Sequence, residues 1–174
     1  MKKNNITANT IINIRATASE VWNALTRPRL IKQYFYGAEA ISDFREGSPI
    51  TFKGEWEGLE YENKGTILMV EKDKLFRYEY WNSMSGTADI RENYLIITHE
   101  LFEDGGVTTL TITQENILTE EKKVKCEQNW RKLTNNLKEL VEWTSPLVKA
   151  VRTYETPAYE FVPTDPALQS QAFA

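Results

Sequence analysis

The chain has few of the residues that staple, charge or catalyse in a small protein. Its single cysteine, Cys126, excludes an intramolecular disulfide and cannot anchor a zinc site alone. Its single histidine, His99, has no nucleophile or metal-ligating partner at a telling spacing, so it defines no mechanism by itself. Positive charge is not in excess. The 21 Lys and Arg against 25 Asp and Glu leave a net charge of -4. No compact basic stripe interleaved with aromatics occurs, which disfavours nucleic acid as a partner. No apolar run approaches the roughly 20 residues needed to span a bilayer. Met1 to Thr10 is polar and lacks the hydrophobic core of a secretory signal, so a reducing, cytoplasmic setting is expected. Paired carboxylates, a GxSxG elbow, HExxH, a P-loop and a dinucleotide fingerprint are all missing, and no metal or cofactor is expected.

What is present is an ordinary globular balance, 41% hydrophobic and 26% charged over 174 residues. That length suits one domain able to bury a core without cross-links. The pattern along it divides at residue 145. Residues 1–144 read as the domain and 145–174 as a C-terminal extension punctuated by Pro146, Pro157, Pro163 and Pro166.

Ile6 to Ile14 alternates as a strand, with Ile6, Ala8, Ile12 and Ile14 on one face and Ile11 out of pattern. Thr17 to Glu20 can cap a helix carrying Val21, Trp22 and Leu25. Pro28 then starts a second short helix to Phe35, ended by Gly37. Period two follows. Phe52, Gly54 and Trp56 share a face. So do Tyr61, Asn63, Gly65, Ile67 and Met69, unless a bulge near Gly65 shifts the register. Phe76, Tyr78 and Tyr80 form another such face, as do Leu95, Ile97, His99 and Leu101, and then Leu110, Ile112 and Gln114. Asp104-Gly105-Gly106 is a turn signal. Helices do not alternate one-for-one with these strands, so the sheet is an antiparallel meander. Thr119 to Trp143 is a long amphipathic helix whose stripe is Cys126, Trp130, Leu133, Leu137 and Leu140, with Thr119 as N-cap. The order predicts an α+β fold: a curved antiparallel sheet wrapped around a long C-terminal helix, with two short helices after the first strand. A curved sheet and a straight helix cannot touch along their whole lengths, and the void between them is a natural ligand site.

Particular segments carry a family likeness. Ala18 to Pro28 (ASEVWNALTRP) and Leu30 to Gly37 (LIKQYFYG) are followed by Lys64 to Ile67 (KGTI) and Leu75 to Tyr78 (LFRY). Then come Thr109 to Gln114 (TLTITQ), and Asn129-Trp130 with Leu133, Leu137 and Leu140. In this order the chain resembles the SRPBCC (START-like) superfamily of helix-grip proteins. Within it, the chain is similar to single-domain bacterial members of the family named after the activator of heat shock protein 90 ATPase. The family usually has Trp where Tyr34 stands and Gly where Asn129 stands. The resemblance implies the helix-grip fold. It also names a chaperone as a partner, although chaperone activators carry a further N-terminal domain for which this chain has no room.

The candidate ligand-binding residues are Trp56, Tyr78, Tyr80, His99, Gln114, Asn129 and Trp130. Trp56, Tyr78 and Tyr80 fall on faces assigned inward, where they serve either as aromatic walls for a planar apolar ligand or as plain core. His99 reads as a polar handle or general base in the cavity, or as a core histidine at its edge. An inward Gln114 must find a partner or water. Asn129 and Trp130 face the same volume from the helix. Cys126 reads as a small buried hydrophobe. The leading function is non-enzymatic binding of a small hydrophobic or aromatic molecule. Its alternatives are a protein-interaction module of the chaperone-activator kind and a cyclase/aromatase-like enzyme using His99 and a Tyr. Trp22 is expected in the core, away from any ligand. In the extension, Tyr154 to Val162 is expected to pack on the domain or on a neighbouring subunit, the latter favouring a symmetric dimer.

Overall fold

A computed structural model describes residues 6–146. The element order is β1 (Ile6–Ile14), α1 (Ala18–Thr26), α2 (Pro28–Tyr34), β2 (Glu39–Ile41), β3 (Pro49–Trp56), β4 (Leu59–Glu71), β5 (Leu75–Trp81), β6 (Leu95–Asp104), β7 (Val107–Ile117) and α3 (Glu120–Thr144). A 3-10 turn, Arg91–Asn93, lies between β5 and β6. The strands form one curved antiparallel sheet in the order β1-β7-β6-β5-β4-β3-β2. The helix α3 lies across its concave side and packs closely on β1. This is the expected helix-grip architecture.

Local chemistry sets the element ends. At α1, the Thr17 hydroxyl accepts the Glu20 N–H while the Glu20 carboxylate accepts the Thr17 N–H at 2.8 Å, a reciprocal capping box. Pro28 opens α2 with φ preset for a helix. Thr119 caps α3 through the Lys122 N–H. The β6–β7 hairpin turns on Gly105 and Gly106, both at positive φ, a conformation that glycine adopts without strain.

Inward faces follow the alternation. Ile14, Ile50, Phe52, Ile67, Phe76, Tyr78, Ile97, Leu110 and Ile112 join Val21, Trp22, Leu25, Leu133, Leu137 and Leu140 in one buried core. Trp22 is 7% exposed and meets Phe76 edge-on at 6.3 Å, so it is a core residue. The register of β4 departs from the expected face. Its ladder with β5 shifts between Ile67 and Met69, which turns Met69 outward at 43% exposure. The extra residue sits three positions beyond Gly65 rather than at it. Gly65 is required for another reason: a Cβ there would overlap the Glu79 carbonyl oxygen of β5. The short edge strand β2, paired to β3 through Ala40 and Phe52, was not foreseen.

The C-terminal end of α3 is latched to the end of β1. The Glu142 carboxylate accepts the Arg15 backbone N–H at 2.8 Å, and the Lys138 ammonium donates to the Asn13 carbonyl at 2.8 Å. Residues 147–174, including the expected docking segment Tyr154 to Val162, lie outside the described residues. Among the described residues, no helix is long and apolar enough to cross a membrane.

Candidate ligand-binding site

Antiparallel pairing brings inward residues of neighbouring strands into rows. One row runs Ala8, Gln114, Ile97, Tyr78, Ile67 across β1, β7, β6, β5 and β4. Beside it lies Thr10, Ile112, His99, Phe76. On its other side Leu95 pairs with Tyr80, and Tyr80 with Gly65. Toward the C-terminal half of α3 these rows meet the helix directly. Toward its N-terminal half, helix and sheet diverge, and a cavity of about 200 Å³ opens between them.

The cavity wall is built in two layers. The sheet gives Tyr78, Tyr80, Leu95, Ile97, Gln114 and Ile117, while α3 gives Cys126, Asn129, Trp130 and Leu133, with Phe35 from the end of α2. The rim is polar: Asn82, Ser85, Thr87, Glu92 and Asn93 come from the connection between β5 and β6, and Lys122 from the first turn of α3. Internal bonds shape that connection. Asn93 donates to the Ala88 carbonyl at 2.8 Å, and the Tyr94 hydroxyl donates to Asp89 at 2.8 Å. Lys64 pairs with Asp89, holding its carboxyl below the usual range, and Asn116 on β7 donates to the Tyr94 carbonyl at 3.2 Å.

Of the residues expected from the sequence, Tyr78, Tyr80, Gln114, Asn129 and Trp130 line this cavity together. His99 does not reach it. It lies one row deeper and borders a pinhole void of about 20 Å³ with Tyr78, Leu25 and Trp130. It is stacked against Tyr78 at 5.8 Å and Phe76 at 6.0 Å, and Trp130 stands edge-on at 5.7 Å. Burial among these rings pushes the imidazole pKa down to about 4, against the Phe76 backbone, which opposes it. His99 is therefore neutral at pH 7 and screened from the cavity by Trp130 and Tyr78. Trp56 borders neither space. It sits half-buried at the hairpin end of β3, next to the turn at Glu57 and Gly58. The cavity lies over β5 to β7 and not over the end of β3, where Trp56 stands.

The polar groups that do line the wall are fixed by the scaffold. Trp130 Nε1–H donates to Gln114 Oε1 at 2.8 Å, tying helix to sheet across the cavity. Asn63, fully buried on β4, donates from Nδ2 to the Tyr80 hydroxyl oxygen at 2.8 Å. Its Oδ1 accepts the Ser83 N–H at 3.0 Å. Burial raises the pKa of both Tyr78 and Tyr80, so both stay protonated. The Cys126 thiol is half-buried and pushed up to about 12 by burial and by Glu127, against a lowering contact with Trp130. It is an unreactive thiol at neutral pH. Among the described residues, no group of three His, Cys, Asp or Glu side chains is placed to hold a metal ion.

Sequence reading missed the rim. The stretch between Trp81 and Leu95 has neither period two nor period 3.6, so no face could be assigned to Asn82, Ser85, Thr87, Glu92 and Asn93. A long connection rich in Asn, Ser and Thr was the available signal, since long loops in compact domains are commonly functional.

Comparison with known proteins agrees with this architecture. A solution structure of ChR145 from Cytophaga hutchinsonii is similar at 36% identity and a TM-score of 0.70, over 79% of this chain and 94% of that one. The crystal structure of DynU16, from the dynemicin biosynthetic locus, is 16% identical with a TM-score of 0.67, over 81% of this chain and 49% of that one. A solution structure of the Aha1 dimer from Colwellia psychrerythraea is 17% identical with a TM-score of 0.61, over 78% and 96%. The last two show the fold alone. No curated protein matches the chain. The family model described as "Activator of Hsp90 ATPase homolog 1-like protein" matches residues 15–142, from the end of β1 to the last turn of α3, and the chain belongs to that family.

Proposed function

We propose that the protein binds a small hydrophobic or aromatic molecule in the cavity between the sheet and α3. The observation that carries this reading is the cavity itself. A space of about 200 Å³ adjoins Tyr78, Ile97, Trp130 and Leu133 on the apolar side and Gln114 on the polar side. Apolar and aromatic walls with a few fixed polar groups are the usual make-up of a small-molecule site. The space lies below the roughly 300–1,000 Å³ of drug-sized sites, which favours a ligand of two or three rings. Membership of the family and the likeness to a protein of a biosynthetic locus are consistent with a small-molecule ligand. Titration with an apolar fluorophore tests the reading. Saturable one-to-one binding is expected, and its absence at high probe concentration removes the proposal.

The geometry gives a cyclase-like mechanism no support through His99, which is sealed behind Trp130. A second reading, interaction with a chaperone as the family description suggests, is favoured by the likeness to Aha1. It requires that the protein change the chaperone's ATPase rate, and an unchanged rate at saturating concentration removes it. The likeness to a dimer likewise supports a homodimer, which a monomeric mass at every concentration by light scattering would exclude.

A further inference from the structure

The cavity's two best-fixed polar groups share a property that limits what it can hold. An indole N–H only donates. Its bond to Gln114 Oε1 therefore sets the orientation of that amide and occupies one of the oxygen's two lone pairs, so the NH2 group is the side of Gln114 left unbonded by Trp130. The same logic applies at Tyr80. The Ser83 backbone N–H, also only a donor, and the Ser83 hydroxyl both take Asn63 Oδ1, at 3.0 and 3.2 Å. Asn63 must then point its NH2 at Tyr80, and does so at 2.8 Å. The Tyr80 oxygen is occupied as an acceptor, and its own O–H remains to donate. Burial, with nearby Tyr61 adding to it, raises the pKa of that hydroxyl and keeps its proton on. Lys122 at the rim is a further donor, with no ion pair among the described residues.

Resting on the binding reading above, we infer that the cavity selects planar apolar molecules bearing carbonyl-type hydrogen-bond acceptors, with Gln114 and Tyr80 as the two donors that read them. The scaffold already bonds the oxygen of both groups, while the Gln114 NH2 and the Tyr80 O–H are the donors it leaves to a ligand. A ligand that offers only donors, such as an arylamine, finds oxygens that the scaffold already bonds and leaves the Gln114 NH2 and Tyr80 O–H unpaired, which is costly. A pure hydrocarbon leaves the Gln114 and Tyr80 donors unsatisfied as it displaces water from them. Gln114 and Tyr80 stand on β7 and β5, two strand spacings or about 10 Å apart across the sheet, and Tyr80 lies a further two residues along its strand from the Gln114 row. The acceptors they read accordingly lie toward opposite edges of the ligand, not on one functional group.

The test uses three probes of one skeleton, 9-fluorenone, fluorene and 2-aminofluorene, titrated by calorimetry or tryptophan quenching into the full chain. Fluorenone is expected to bind about tenfold more tightly than fluorene, and 2-aminofluorene no better than fluorene. Gln114→Glu keeps an acceptor for Trp130 while replacing the NH2 donor by a carboxylate oxygen. It should lower the fluorenone-to-fluorene affinity ratio by about three- to tenfold and raise the aminofluorene-to-fluorene ratio. Tyr80→Phe removes the second donor by an independent route and should lower the ratio of anthraquinone to anthracene affinity, since anthraquinone carries acceptors on opposite edges. Equal binding of fluorenone and fluorene, or ratios unmoved in both variants, overturns the donor assignment and leaves cavity binding standing. If no probe of any class binds, the binding reading itself fails, and this inference with it.

Discussion

Burial of His99 between Phe76, Tyr78 and Trp130 makes stability depend on pH within a defined window. Its native pKa of about 4 lies below the ordinary 6.5, so between those values the unfolded chain holds a proton that the native state does not. Stability from this residue is therefore complete above about pH 6.5 and is lost as pH falls toward 4, to a total of about 3 kcal/mol. His99→Phe keeps a ring in the stack and removes the titration. Between pH 7 and pH 5, urea unfolding should show the wild type losing about 2 kcal/mol more than His99→Phe. Parallel pH profiles would contradict the burial of a neutral imidazole. Trp22 is the second residue-scale case. It borders neither void, so Trp22→Ala should cost about 3–5 kcal/mol in denaturant unfolding while the protein that remains folded keeps its probe affinity. A small loss of stability with a large loss of binding would place Trp22 in the site instead.

At the scale of elements, two joints decide whether the cavity keeps its shape. The first is the close approach of β4 and β5 at Gly65. Gly65→Ala would drive a methyl group into the Glu79 carbonyl and should cost about 3 kcal/mol, read as a fall in thermal midpoint. A neutral substitution would show that the strands can part without loss. The second is the latch of Glu142 to the Arg15 N–H. Burial opposes the Glu142 charge, but the Arg15 bonds and Lys138 outweigh it and hold its carboxyl below the ordinary range. Glu142→Ala strands the Arg15 N–H and should cost about 1–3 kcal/mol. Faster amide exchange at Arg15, with the β1 amides unchanged, would identify the latch as the cause. The elements themselves were largely legible. Alternation placed Phe76, Tyr78, Ile97, His99, Ile112 and Gln114 on one concave face, and helical spacing placed Trp130 and Leu133 opposite. Period alone does not say how far apart sheet and helix stand at each row. That is why His99 and Gln114, two residues of equal inward assignment, end in different places. Nor does it locate a bulge: Gly65 hinted at one in β4, but the extra residue is Leu68, because a bulge costs one residue of register and leaves the composition of the strand unchanged.

At the scale of the whole molecule, the sheet and α3 meet tightly at the Leu137 and Leu140 end and diverge at the Cys126 end, where the connection between β5 and β6 supplies a polar rim. A wedge closed at one end and rimmed at the other is suited to taking a ligand apolar end first, and α3 forms one of its walls. Trp130 stands on that wall, bonded across the opening to Gln114. The most direct test is therefore a titration of a variant keeping Trp130 as its sole tryptophan, with the other four changed to Phe. Emission from Trp130 should shift and saturate with an apolar aromatic ligand, and the same variant carrying Asn129→Phe, which fills the cavity from α3, should bind at least tenfold more weakly. Ligand binding that leaves Trp130 emission unchanged, or that survives the filled cavity at full affinity, would contradict a ligand site between the sheet and α3.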